Sequence, residues 1–144
     1  VPANGIGPDH PESGEKLSLV LSVYRAADFN AAKQLSARIL AHQGAGHSIG
    51  LHTADDTRAL GMGLEMPTCR VIVNQAHCFA TGGSFDNGMP FSLSMGCGSW
   101  GGNSIDDNLN YRHFMNTTKV VRTIAVNEPA VEDIFSDYWQ RAGE

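Results

Sequence analysis

No apolar run in this sequence approaches the roughly 18 consecutive residues that a membrane-spanning helix needs, and no charged-then-apolar leader opens it. A chain neither embedded in a membrane nor secreted is expected. Cysteine is scarce: Cys69, Cys78 and Cys97 form an odd set without CxxC spacing, which argues against a disulfide framework or a structural zinc site and makes a reducing cytoplasm the simplest setting. Positive charge is short, with 10 Lys and Arg against 15 Asp and Glu and a net charge of −5 at pH 7. That balance leaves no basic footprint for a phosphate backbone, so nucleic acid is not an expected partner. Six histidines are present, but His42, His47 and His52 do not share a helix face, and no HExxH occurs. No metal is expected.

What is present fits one globular domain of 144 residues, 42% hydrophobic and 17% charged. The opening stretch from Val1 to Lys16 is rich in Pro and Gly and reads as an entering loop, and its start at Val1 rather than Met suggests part of something longer. Leu17, Leu19, Leu21 and Val23 alternate with Ser18, Val20, Ser22 and Tyr24, the period of a strand. Asp28 is a good N-cap for a helix carrying Phe29, Ala32, Leu35, Ile39 and Leu40, with Gly44 and Gly46 as stop signals. Residues 47–53 read as a short strand. Asp55 or Asp56 caps a second helix, weakened by Gly61 and Gly63 and ended by Pro67, and residues 70–74 form a β-branched strand.

Seven of the 16 glycines then fall within residues 75–103. Such density marks backbone that turns sharply or approaches a ligand closely. Val120, Val121, Ile124 and Val126 read as a later strand, and Pro129 opens an amphipathic helix through Val131, Ile134, Phe135, Tyr138 and Trp139. The expected fold class is α/β, a layered β-sheet with flanking helices.

Gly96, Gly98 and Gly101 spell GxGxxG, but a dinucleotide fingerprint needs a strand before it and a helix after it, and residues 102–107 do not start an apolar helix. A tight loop that lets backbone approach a ligand is the preferred reading. Cys97 could be an exposed nucleophile served by neighbouring N–H groups, or a small residue packed in a crowded turn; no base stands at a motif-defined position. Glu15 and His47 have bland readings as a solvated acid and a hydrogen-bonded structural histidine. The residues by themselves give an α/β domain with a functional loop and no reaction.

The run GCGSWGGNSIDDNL (Gly96 to Leu109), followed by HFMN at His113 to Asn116, resembles the C-terminal segment of CoA-acylating aldehyde dehydrogenases. GEKLSLVL (Gly14 to Leu21) resembles their EKLSP strand, with Leu19 where relatives often carry proline, and GHSIGLHT and CRVIVNQ extend the resemblance over roughly residues 10–124. It implies the second half of an aldehyde dehydrogenase-like catalytic domain over residues 1–116 and then an oligomerisation strand, which together with the C-terminal helix read from its own pattern makes up 117–144; the last 20 residues show no resemblance of use. It also implies Glu15 on the ribose of NAD or NADP, His47 as a base toward the thiol of coenzyme A, and an active-site loop of Gly96, Gly98, Ser99, Trp100, Gly101, Gly102 and Asn103.

The family's nucleophilic cysteine lies upstream of the matched segment, and Cys69, Cys78 and Cys97 do not match its position. The segment alone is therefore expected to be inactive, working with the remainder of the same enzyme in a homo-oligomer. Residues 77–102 lean toward relatives acting on small acidic or sulfonated aldehydes such as succinic semialdehyde or sulfoacetaldehyde. The location implied is cytoplasmic, with a bacterial microcompartment left open. Two other readings stand beside it: a stand-alone α/β binding or assembly module without catalysis, and a cysteine hydrolase built on Cys97.

Overall fold

A computed structural model describes residues 1–143. Helix α1 (Phe29–Gln43) starts where Asp28 accepts a hydrogen bond from the Ala31 amide at 2.8 Å and stops at Gly44, whose φ of 110° suits glycine. Helix α2 (Asp56–Glu65) is capped by Asp55, which accepts from the Thr57 amide at 3.0 Å. Lys33 and Glu65 form an ion pair at 2.6 Å, and the Arg58 guanidinium lies 5.0 Å above the Phe29 ring, so polar and cation–π contacts join the two helices.

Strands β1 (Ile49–Leu51) and β2 (Val71–Val73) pair in parallel, Ile49 opposite Val71 and Leu51 opposite Val73, with α2 as the crossover between them. Isolated pairing of Gly46 with Thr68 carries the contact one step before β1. The expected α/β class is observed, and β2 supplies one of its buried core residues, Ile72. Asn74 follows with φ of 54°, a left-handed conformation that Asn tolerates, and its amide side chain bonds both the N–H and the C=O of Thr53. The turn leads into a one-turn helix, α3 (His77–Ala80), inside the stretch expected to be all loop.

Two expected strands do not form among the described residues. Residues 17–19 bend and residues 20–22 have no regular structure; the segment makes only one parallel bridge, Val23 with Pro2, and Leu17 is 93% exposed. Residues 115–130 have no regular structure, and Val126 is 89% exposed. The apolar side chains of both segments record a need for burial, but a strand also needs a neighbour to bond along its length: residues 1–3 reach only the end of the first segment, and among the described residues nothing bonds the second. Helix α4 (Val131–Ala142) forms as expected, beginning two residues after Pro129, yet Val131, Ile134 and Tyr138 are all more than half exposed.

The hydrophobic core is correspondingly small: Ala3, Met62, Met66, Ile72 and Ala80. The chain exposes 11239 Å², whereas a compact protein of 15.4 kDa exposes about 7,200 Å². The excess, roughly 4,000 Å², is several times the ~800 Å² that one partner contributes to a standard protein interface.

Candidate active-site wall

The glycine-rich run folds into a closed loop. Met95 pairs antiparallel with Asn108, the Gly96 amide donates to Asp107 O at 2.9 Å, and the Gly98 amide donates to Ile105 O at 2.9 Å. At the tip, Ser99 to Gly101 makes a single 3-10 turn between Gly98 (φ 59°) and Gly102 (φ 69°). Both conformations are left-handed, and a β-carbon at Gly98 would also lie 3.1 Å from the Cys69 sulfur. Among the described residues no α-helix starts directly after the GxGxxG spacing, so the dinucleotide fingerprint has no helix N-terminus to work with.

Asn103 closes the tip by accepting from the Cys97 amide at 2.8 Å and donating its own amide to Gly98 O at 2.9 Å. The Gly101 and Gly102 amides are also used within the loop. These donors are not free to stabilise an oxyanion at Cys97, and among the described residues no imidazole or carboxylate hydrogen-bonds its thiol. Packed against Gly46 and Gly101, Cys97 fits the crowded-turn reading, and nothing in its surroundings activates it as a hydrolase nucleophile. Partial burial pushes the Cys69 thiol up, which keeps it protonated, and Cys78 is exposed without a hydrogen-bond partner among the described residues. Ser99, Trp100, Gly101, Gly102 and Asn103 are solvent-facing.

What holds this loop to the sheet is a buried arginine that the sequence did not single out. Arg70, 5% exposed, sits just before β2 and has no carboxylate partner among the described residues. Its guanidinium donates from Nε to Asn108 Oδ1 at 3.0 Å, and from one terminal nitrogen to His47 O at 3.1 Å and Gly96 O at 2.9 Å. Its other terminal nitrogen is buried without a partner among the described residues. Asn108, fully buried, uses its remaining donors on Thr81 O and Pro90 O at 3.0 and 2.8 Å. One side chain thus fixes the backbone of His47 against the first glycine of the loop, and a second anchors the far side of that loop.

His47 is solvent-facing, and its Nδ1 lies 2.6 Å from Ser48 Oγ. Ser48 Oγ in turn lies 2.9 Å from His77 Nε2. Burial, and to a smaller extent the charge of His47, lowers the pKa of His77 below the ordinary imidazole value. No motif spacing in the sequence joins these residues, because His47 and His77 are separated by 30 positions and brought together only by the βαβ unit.

Glu15 is exposed, and its carboxylate has no hydrogen-bond partner among the described residues, while its amide donates to Gln43 Oε1 at 2.8 Å. Gln43 is the last residue of α1, four positions before His47, so Glu15 is tied to the end of the helix from which the chain runs into the histidine. A cleft of 580 Å³ bordered by Pro2, Val23, Tyr24 and Leu35 contains none of Glu15, His47 or the glycine loop. Glu15, His47 and residues 99–103 of the glycine loop are all exposed. Among the described residues no helix is long and apolar enough to cross a membrane.

No family model matches the chain. A sulfoacetaldehyde dehydrogenase (acylating) of Cupriavidus necator is 55% identical over 144 residues, which is all of this chain and 29% of that protein. A succinate-semialdehyde dehydrogenase (acetylating) of Clostridium kluyveri is 38% identical over 106 residues, covering 74% of this chain and 23% of that one. Among solved structures, an acetylating aldehyde dehydrogenase from Geobacillus thermoglucosidasius superimposes with a TM-score of 0.76 at 29% identity, covering 88% of this chain and 28% of that structure. The chain is thus homologous to a segment of acylating aldehyde dehydrogenases and spans less than a third of their length.

Proposed function

We propose that these residues form one wall of the catalytic cleft of an NAD(P)-dependent, CoA-acylating aldehyde dehydrogenase, and that the attacking cysteine belongs to residues outside this chain. The observation that carries the reading is the joint one. The chain is similar along its whole length to part of such enzymes, its described cysteines lack an activating partner, and its surface exceeds that of a compact protein by roughly 4,000 Å². A stand-alone module would bury Leu17, Leu21, Val120 and Ile124 rather than expose them.

In this reading residues 1–116 complete the catalytic domain. Residues 117–144 then give a strand and a helix that find partners in the assembly: the extended apolar segment from Val120 to Val126 has the character of an edge strand awaiting a second chain. The carboxylate of Glu15 suits the nicotinamide ribose, since it is exposed, unpartnered among the described residues and able to accept from two hydroxyls. When bound, the nicotinamide supplies the acceptor for the aldehyde hydride. His47 removes the proton from the CoA thiol, whose own pKa is about 8 to 9, so that sulfur can displace the acyl group from the enzyme's cysteine. The glycine loop presents Ser99, Trp100 and Asn103 beside it. The balance is aldehyde, CoA thiol and oxidised nicotinamide to acyl-CoA, reduced nicotinamide and a proton.

The relatives' names favour a small anionic aldehyde, sulfoacetaldehyde first and succinic semialdehyde second. The test is steady-state kinetics of the complete enzyme with either aldehyde, CoA and NAD or NADP. Acyl-CoA should form, and Glu15→Ala should raise the KM for the nicotinamide about tenfold, the loss of one or two charge-assisted hydrogen bonds. A KM unchanged by that substitution would remove Glu15 from the site.

A further inference from the structure

The hydrogen-bonded series His47, Ser48, His77 does more than hold a side chain still. Ser48 has one hydrogen and two lone pairs, and it stands between two imidazole nitrogens, His47 Nδ1 at 2.6 Å and His77 Nε2 at 2.9 Å. Where the hydrogen goes decides which nitrogen of His47 is left bare. With His77 neutral and unprotonated at Nε2, the serine hydrogen is committed to His77. Its lone pair then accepts His47 Nδ1–H, and His47 Nε2 keeps an outward lone pair. With His77 protonated at Nε2, the serine accepts from it instead. Its hydrogen is then free to turn to His47 Nδ1, and the outward lone pair is no longer secured.

We propose that His77 is a positioning residue for the CoA-transfer step, which through Ser48 holds His47 in the tautomer whose Nε2 can take the thiol proton; this rests on His47 being the base. The fold is arranged around the contact. Ser48 and Gly50 lie on one face of the β1 segment, and a β-carbon at Gly50 would sit 2.7 Å from His77 Nδ1, so only glycine there lets the imidazole reach the serine. No positive φ requires that glycine. His77 opens α3 and has no ion-pair partner among the described residues; the titratable group whose field reaches it is His47 itself. Burial favours its neutral form at pH 7, and of the two neutral tautomers the relay uses the one with its hydrogen on Nδ1, which leaves Nε2 to accept from Ser48.

The step is balanced within the site. The thiol proton moves to His47 Nε2, the thiolate sulfur bonds the acyl carbon, and the enzyme's cysteine leaves as thiolate. Ser48 and His77 keep the same hydrogen bonds throughout, since an imidazolium still donates from Nδ1.

The test uses the complete enzyme with sulfoacetaldehyde, CoA and the nicotinamide, separating the burst of hydride transfer from CoA-dependent turnover. His77→Phe and Ser48→Ala should each slow CoA-dependent turnover about tenfold or more, a share of the ~10²–10⁴ that a general base contributes, with the burst retained. The double variant should be no slower than either single one, because both cut the same link. His77→Gln, which keeps an acceptor for the serine but does not titrate, should restore most of the rate and remove one ionisation from the acid limb of the pH profile. Gly50→Ala should resemble His77→Phe.

Histidine-selective ¹⁵N spectra, with His47 assigned from its Gln variant, should report an unprotonated Nε2 in the unaltered enzyme and a tautomer mixture in His77→Phe. That spectrum decides the matter if His77→Phe does not fold. Unchanged turnover and tautomer in His77→Phe, or an Nε2–H tautomer in the unaltered enzyme, would overturn the proposal. If His47→Gln itself leaves CoA transfer untouched, the base reading falls first and this one with it. A slow His47→Gln beside an unaffected His77→Phe overturns only the role of His77.

Discussion

Replacing His47 with glutamine in the complete enzyme is expected to slow acyl transfer to CoA by about 10²–10⁴-fold, the range a positioned general base supplies, while the burst of hydride transfer stays largely intact. The separation of the two phases follows from geometry. His47 is exposed on the wall, held by its backbone carbonyl to Arg70 and by its ring to Ser48, with no cysteine thiol hydrogen-bonded to it among the described residues. In the proposed role it serves an incoming thiol, and no nucleophile of this chain is bonded to it among the described residues. Glutamine keeps the size and a polar tip but cannot accept a proton near neutral pH. The deficit should shrink as the pH rises toward the ~8 to 9 of a free thiol, where CoA ionises without help. A rate profile parallel to that of the unaltered enzyme across this range would contradict the role.

The second large effect is structural. Asn108→Ala should destabilise the glycine loop by roughly 3 to 5 kcal/mol: it removes a hydrogen bond to a charged group, worth about 1.5–3, and leaves two carbonyls without a donor at about 1 each. Arg70 would suffer most. Among the described residues it is a buried cation bonded to carbonyl and amide oxygens rather than to a carboxylate, and one of its terminal nitrogens has no partner. Hydrogen exchange of amides 94–109 in the complete enzyme should accelerate at least about a hundredfold. Because Arg70 also holds His47 O, CoA transfer should fall with it. Unchanged protection of the Gly96 and Gly98 amides would show that Asn108 is a passenger.

The βαβ unit was legible because each element carries its own local signals: Asp28 and Asp55 as caps, Gly44 as a stop, and Val71, Ile72 and Val73 as a β-branched run. The two strands that do not form, 17–23 and 120–126, failed for a single reason. Alternation states which side chains need burial and says nothing of what covers them.

The glycine loop was identified by density alone, but not its closure by Asn103 nor its anchoring by Asn108. Arg70 read as the mere start of a strand, and its unusual feature, burial without an acid, is a property of three dimensions. His77 stood in a stretch expected to be loop. A clue was present in the small residues Ser48 and Gly50 on one strand face, but a small residue announces a close approach without naming the visitor. Glu15 and His47 came from family resemblance, and the structure adds their exposure and the ties that hold them.

The most direct measurement is mass spectrometry of the complete enzyme mixed with sulfoacetaldehyde and the nicotinamide in the absence of CoA, so that the acyl group stays on the protein. The label should be found on a cysteine outside these 144 residues and should disappear when CoA is added. An acyl group on Cys69, Cys78 or Cys97 would mean that this chain carries its own nucleophile, and the assignment of it as one wall of a shared cleft would be wrong.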